Sequence, residues 1–249
     1  MRVRDFVKGN VAYHNSLCPK AWQGKQLRPE VKQRLLSIAK TFIDYLEVPN
    51  FKVIDIVLTG SLANYNWTKY SDFDLHVVTR YDDIDADNIA EAFYTAKKKI
   101  WNDGHDITIR GHEVELYVED VNEPPVSAGM FSIINNRWIK TPEYNPPEVD
   151  KRSVNAKTQS LVKEIDHAIS LDNSVDDLER LISKIKNMRR SGLESGGEFS
   201  VENLAFKILR NQGYIDRLFQ AYKKQQDREF SLESIDDYQV HNTEKLDRI

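Results

Sequence analysis

Between Val53 and Val78 the sequence contains two strand-forming runs, and the way the chain leaves the first and enters the second limits the folds open to it. Val53-Ile54-Asp55-Ile56-Val57-Leu58 is β-branched and apolar, too short for a typical helix, and stopped by Gly60. The next run, Asp72-Phe73-Asp74-Leu75-His76-Val77-Val78, alternates polar and apolar residues. Residues two apart on a strand share a face and stand roughly 6.5 to 7 Å apart. Phe73, Leu75 and Val77 therefore belong to a core, while Asp72 and Asp74 share the other face with His76. The expected place of His76 is the solvent side of that face. Glu113-Val114-Glu115-Leu116-Tyr117-Val118-Glu119 repeats the pattern and supplies a third strand, with Glu113 and Glu115 on one face. An ordinary half-exposed strand also alternates acids with apolar residues, so the pattern by itself does not separate a site from a solvated surface.

The rest of the chain fits helices around such a sheet. Val31, Leu35, Ile38, Ala39, Phe42 and Tyr45 fall at helical spacing and predict a helix over Leu27–Leu46, with Pro29 in its first turn. A second helix is expected over Ile84–Trp101, with Asp82, Asp83, Asp85 and Asp87 near its start and Lys97, Lys98 and Lys99 near its end, an arrangement that complements the helix dipole. Phe131–Lys140 reads as a hairpin folded at Asn135-Asn136. Prolines and polar residues then crowd Thr141–Pro147, and beyond them the pattern is wholly helical. Ser174 is placed to cap a helix containing Leu178, Leu181, Ile182 and Ile185. A glycine-rich turn is expected at Gly192–Gly197, then one last helix from Ser200 through Tyr222 with Gly213 inside it. The final stretch, from Asp227, is acidic and polar, and fraying is expected there. The fold class predicted is α+β: a mixed sheet with flanking helices over residues 1–145, followed by a helical domain over 146–249.

Several function classes drop out on composition. Cys18 is the only cysteine, so intrachain disulfides, cysteine zinc clusters and paired redox motifs are excluded, and its neighbours Leu17 and Pro19 offer nothing to activate it. It is expected to be a packing or surface residue. No apolar run approaches the ~20 residues needed to cross a bilayer, and Met1-Arg2-Val3-Arg4-Asp5 is not followed by the apolar segment of a signal peptide. A soluble cytoplasmic protein is expected. The net charge of -4 argues against coating nucleic acid with the whole surface. Between Glu179 and Lys224, however, ten Lys and Arg face five acids, so basic C-terminal helices are a candidate surface for an RNA acceptor.

The chemistry is concentrated in Leu58–Leu75. A strand ending in Gly60-Ser61 brings backbone N–H groups and a hydroxyl close to a phosphate. Eleven residues past Ser61 comes Asp72, and with Asp74 it forms a pair of carboxylates able to converge on hard cations that share their shell with substrate phosphates. A third carboxylate from the next strand would complete the set. Glu115 is the choice, because Val114 and Leu116 flank it on both sides, and Glu113 is the alternative. Tyr65 and Trp67 suit either stacking on a base or packing beneath the loop. Lys69, Arg137, Lys140 and Lys157 could neutralise phosphate but carry no distinguishing signal, and His105 and His112 lack metal-ligand spacing.

Gly-Ser, a ten-residue spacer, Asp-Phe-Asp-Leu, and later Val-Glu-Leu on a strand together resemble the signature of the DNA polymerase β nucleotidyltransferase superfamily. Ala63-Asn64-Tyr65-Asn66-Trp67 ahead of Ser71-Asp72, and the later Asn135-Asn136-Arg137-Trp138, also resemble nucleotidyltransferase-like proteins of tailed phages. The resemblance covers Ile54 to Lys140, about a third of the chain. It implies an ATP-type NTP substrate on Gly60 and Ser61, magnesium, in two ions, on Asp72 and Asp74, and Glu115 on the acceptor side. The reaction implied moves a nucleoside monophosphate to a hydroxyl of an RNA 3′ end, a protein or a small molecule. The alternative is a catalytically silent nucleotide-binding module of the same fold.

Overall fold

Pro29 opens the first long helix with its ring at a position where no backbone N–H is needed, and Glu47, in the left-handed conformation (φ 56°), closes it with its N–H on the Asp44 carbonyl. This computed structural model describes residues 5–83, 89–171 and 173–231. A two-residue ribbon, β1 (Trp22–Gln23) and β2 (Gln26–Leu27), precedes that helix, α1 (Pro29–Leu46). There follow β3 (Asp55–Thr59), β4 (Phe73–Thr79), α2 (Ala90–Gly104), β5 (Thr108–Ile109), β6 (His112–Asp120), β7 (Met130–Ser132) and β8 (Arg137–Lys140). The remaining elements are α3 (Lys151–Ser170), α4 (Val175–Gly196), α5 (Val201–Asn211) and α6 (Tyr214–Phe230). The architecture is α+β.

Six strands form one sheet in the order β5-β6-β4-β3-β7-β8. β4 and β6 are parallel and the other pairs antiparallel, so the sheet is mixed. Parallel neighbours need a crossover, and α2 lies on that connection. Phe73, Leu75 and Val77 of β4 and Val114, Leu116 and Val118 of β6 join Leu35, Phe42 and Leu46 of α1 and Tyr94 and Trp101 of α2 in one core. Both helices thus cover one face of the sheet. The opposite face carries Thr59, Asp74, His76, Glu115, Tyr117 and Glu119.

The chain divides into Gly9–Pro146, which holds the sheet, and Met1–Lys8 with Pro147–Ile249, which holds α3 to α6. The sequence reading set the first residues with the sheet; residues 5–8 fall with the helices, where the Phe6 N–H donates to Asn155 Oδ1 at 2.8 Å. The helical unit has its own core of Leu161, Ile165, Leu181, Ile185, Leu209 and Leu218 among others. Among the described residues, no helix is long and apolar enough to cross a membrane.

Four local expectations change. α2 starts at Ala90, with Glu91 as its first-turn acid; Asp82 and Asp83 sit in a separate 3-10 turn over Tyr81–Asp83, and residues 84–88 lie outside those described. The helix also runs past Trp101 to Gly104, leaving no basic side chain in its last turn, so the dipole argument from Lys97–Lys99 does not apply. Gly192 and Gly196 are inside α4 rather than in a turn; a Cβ on Gly192 would crowd Ser200 and Glu202, so the glycine there allows close approach of the next segment. Gly213, at φ 75°, separates α5 from α6 where one helix was expected. The expected frayed end from Asp227 is helical as far as Phe230, and residues 232–249 lie outside those described.

Candidate active site

β3 ends and β4 and β6 begin at the same end of the sheet, and their register sets Thr59, Asp74 and Glu115 side by side in one row. Asp72, two residues before Asp74, completes the cluster. Asp72, Asp74 and Glu115 each present a carboxylate oxygen, and these oxygens lie within 4.8 Å of one another, all three side chains being half-buried. Glu113 is opposite Thr108 on the edge strand β5, exposed and outside the cluster. The neighbouring-strand register, parallel and in step, is what selects Glu115.

Gly60 joins this cluster to the turn that follows β3. Its φ of 73° and ψ of -162° lie in a region that is essentially glycine's alone. It also has no room for a side chain, because a Cβ would overlap the Asp74 carboxylate, whose Cγ would stand at 2.7 Å. Ser61 begins a single 3-10 turn, Ser61–Ala63, too short to add a large helix dipole to the site. What remains near the carboxylates is a hydroxyl and a tightly turned backbone. Ser61 Oγ donates to Ser71 Oγ at 2.7 Å, and Ser71 Oγ also accepts the Thr68 N–H at 2.9 Å, which fixes the start of β4 to the end of β3.

The turn is held from behind. Trp22, almost completely buried, donates its indole N–H to the Leu62 carbonyl at 2.7 Å and stacks on Trp138 with centroids 4.7 Å apart. Gly129 allows the loop before β7 to press on the Ala63 carbonyl, where a Cβ would collide. His112 is buried and bonded through Nδ1 to the Ser71 carbonyl at 2.6 Å. A carbonyl only accepts, so Nδ1 carries the proton, and Nε2 faces Cys18 Sγ at 3.9 Å. Burial lowers the His112 pKa below the ordinary histidine value, with Lys20 adding to the effect and the Ser71 bond opposing it. Cys18 is a buried packing residue.

Two side chains on the polar face were given too little weight in the sequence. His76 is buried rather than on the solvent side. Its Nε2 meets Thr59 Oγ1 at 3.0 Å, its Nδ1 meets Glu119 Oε1 at 3.1 Å, and its ring stacks on Tyr117 at 4.6 Å. Tyr117 donates its hydroxyl to Glu115 Oε2 at 2.6 Å. The Tyr117 pKa is pushed up, first by burial, then by Glu115, then by Asp74 and Asp72, so the phenol keeps its proton at any working pH. Same-face spacing from Glu115 was the available signal for Tyr117. Nothing in the sequence announced Trp22, whose partners are far away along the chain.

The remaining candidates are accounted for by the chain itself. Tyr65 is buried against Tyr13 and Tyr144, and Trp67 stacks on His14 at 3.7 Å with its N–H on the Ser16 carbonyl. Both therefore pack beneath the loop. Lys69 lies over the Tyr70 ring, Lys157 pairs with Glu202, and Arg137 and Lys140 are exposed on β8. His105 stacks on Trp101 and bonds its carbonyl.

Comparison with known proteins bears on this arrangement. Residues 38–134, which contain β3, the Gly60-Ser61 turn, β4, β6 and β7, match the family described as "Nucleotidyltransferase domain". This segment is similar to that domain. The protein is accordingly an enzyme of the nucleotidyl-transferring class, and its three-carboxylate cluster lies inside the matched segment. Among solved structures, a STING-associated CdnE c-di-GMP synthase from Capnocytophaga granulosa is similar, at 11% identity over 82% of this chain and 84% of that one, with a TM-score of 0.22. No curated protein sequence matches the chain.

Proposed function

We propose that the nucleotidyltransferase domain uses Asp72, Asp74 and Glu115 to transfer a nucleoside monophosphate from an NTP to a hydroxyl acceptor. The observation that carries this reading is the convergence of three half-buried carboxylates within 4.8 Å beside a glycine turn that admits no side chain. Such an all-oxygen donor set suits magnesium, which takes carboxylate oxygens and shares its shell with substrate phosphates. Bound there, magnesium would neutralise the triphosphate and lower the pKa of the acceptor hydroxyl. Gly60 and the Ser61 hydroxyl are positioned to meet the triphosphate. The acceptor oxygen attacks the α-phosphorus, the bond from that phosphorus to the bridging oxygen breaks, and pyrophosphate leaves. The acceptor proton passes towards Glu115.

The silent-module reading has less support, because all three acids are present and brought together. For the acceptor, four of the ten Lys and Arg of the basic C-terminal stretch are in ion pairs within their own unit. Arg180 pairs with Asp177, Lys184 with Glu164, Lys207 with Glu198 and Arg217 with Asp166. These pairs lower the positive charge open to an RNA end, and a small-molecule or protein hydroxyl is the acceptor proposed. The test is NTP labelled at the α- or γ-phosphate, incubated with magnesium and candidate acceptors. Label from the α position is expected on the acceptor and label from the γ position in pyrophosphate. Release of inorganic phosphate from the γ position would instead mean a hydrolase and would overturn the reading.

A further inference from the structure

Glu115 and Tyr117 project from the same face of β6, and the Tyr117 hydroxyl holds one of the two Glu115 oxygens, Oε2, at 2.6 Å. The phenol is itself held in place. Its ring lies nearly parallel to the His76 imidazole, 11° apart at 4.6 Å, and Lys98 Nζ stands 4.4 Å from its centroid. His76 is tied at both nitrogens, to Thr59 and to Glu119. Coordination through both Glu115 oxygens would therefore make Oε2 share its lone pairs between the cation and an immobilised donor.

That restriction matters for which cation the carboxylates accept. Magnesium needs near-octahedral geometry and is satisfied by single carboxylate oxygens, whereas calcium takes six to eight oxygens and readily uses a carboxylate through both. We propose that Tyr117 is a positioning residue that limits Glu115 to coordination through one oxygen and thereby sets a preference for magnesium over calcium. The proposal rests on the reading that Asp72, Asp74 and Glu115 hold divalent cations. It assigns to the Tyr117, His76, Glu119 and Thr59 series a task beyond packing: keeping one oxygen of the third carboxylate out of reach.

The test measures metal binding directly. Manganese bound to the full chain is followed by its electron paramagnetic resonance and displaced with magnesium or with calcium, for the native chain, Tyr117→Phe and Asp74→Asn. The native chain should release manganese to magnesium more readily than to calcium, and Tyr117→Phe should shift that ratio towards calcium by about tenfold, the usual scale for losing an outer hydrogen bond to a metal ligand. An unchanged ratio in Tyr117→Phe, with manganese still bound, overturns the role of Tyr117 and leaves the site reading standing. Equal manganese binding by the native chain and Asp74→Asn overturns the site reading and the proposal with it. Should Tyr117→Phe not fold, infrared difference spectra of the native chain with and without magnesium, referenced to Glu115→Gln, decide the matter. A wide separation of the two Glu115 carboxylate stretches, the mark of one-oxygen coordination, is expected, and a narrow two-oxygen separation contradicts the proposal.

Discussion

A side chain at position 60 would occupy the same space as the Asp74 carboxylate, and the backbone there is in a conformation that other residues adopt only under strain. Gly60→Ala should thus lower stability by about 1–3 kcal/mol from the backbone alone and also push Asp74 away from its two partners. Urea unfolding would measure the first effect, and loss of magnesium-dependent NTP turnover the second. His112 gives a pH prediction. Its pKa is lowered in the fold, so the unfolded chain takes up a proton more readily than the native one. That difference removes stability as pH falls through and below the unfolded histidine value of about 6.5. His112→Asn, which keeps a donor near the Ser71 carbonyl, should flatten the loss of stability between pH 7.5 and 5.5 in urea titrations; a slope equal to that of the native chain would contradict the assignment. At this scale the sequence was informative where placement follows from spacing, as for the convergence of Asp72 and Asp74. It was misleading for His76, because parity sets a face but not whether neighbours cover it.

β4 and β6 were readable as strands because apolar residues alternate with polar ones, and β3 because its run is β-branched and apolar; their core-facing residues join α1 and α2 in one core. Their order and direction were not readable. Nothing local states that β6 runs parallel to β4, yet that register alone sets Glu115, and not Glu113, beside Asp74. The turn after β3 is a single 3-10 turn, held by Trp22 from outside the matched segment. Trp22→Ala should therefore cost about 3–5 kcal/mol, as for other large buried aromatic residues, and reduce NTP turnover although the residue touches none of the carboxylates. Trp22→Phe, which keeps most of the apolar contact and loses the bond to the Leu62 carbonyl, should cost about 1 kcal/mol. Thermal unfolding of both variants checks the ranking. The division of α5 from α6 was missed because helical periodicity continues across Gly213, and periodicity was the signal being read.

For the whole molecule, the sheet-bearing unit holds the segment that matches the nucleotidyltransferase domain, while the helical unit is built on its own core and pairs some of its cations internally. With a small-molecule or protein hydroxyl as acceptor, turnover should change less than tenfold between 50 and 200 mM salt. An acceptor gripped by six to ten phosphate contacts would lose about 10³- to 10⁵-fold in affinity over the same range. The claim on which the rest depends is that the Asp72, Asp74 and Glu115 cluster drives nucleotidyl transfer. It is tested most directly by the rate of pyrophosphate release from NTP and magnesium in the native chain and in the Asp72→Asn plus Asp74→Asn variant, both confirmed as folded. The account predicts release that falls at least 10²-fold in the variant, the scale on which lost electrostatic stabilisation is felt. Release continuing at the native rate would contradict it.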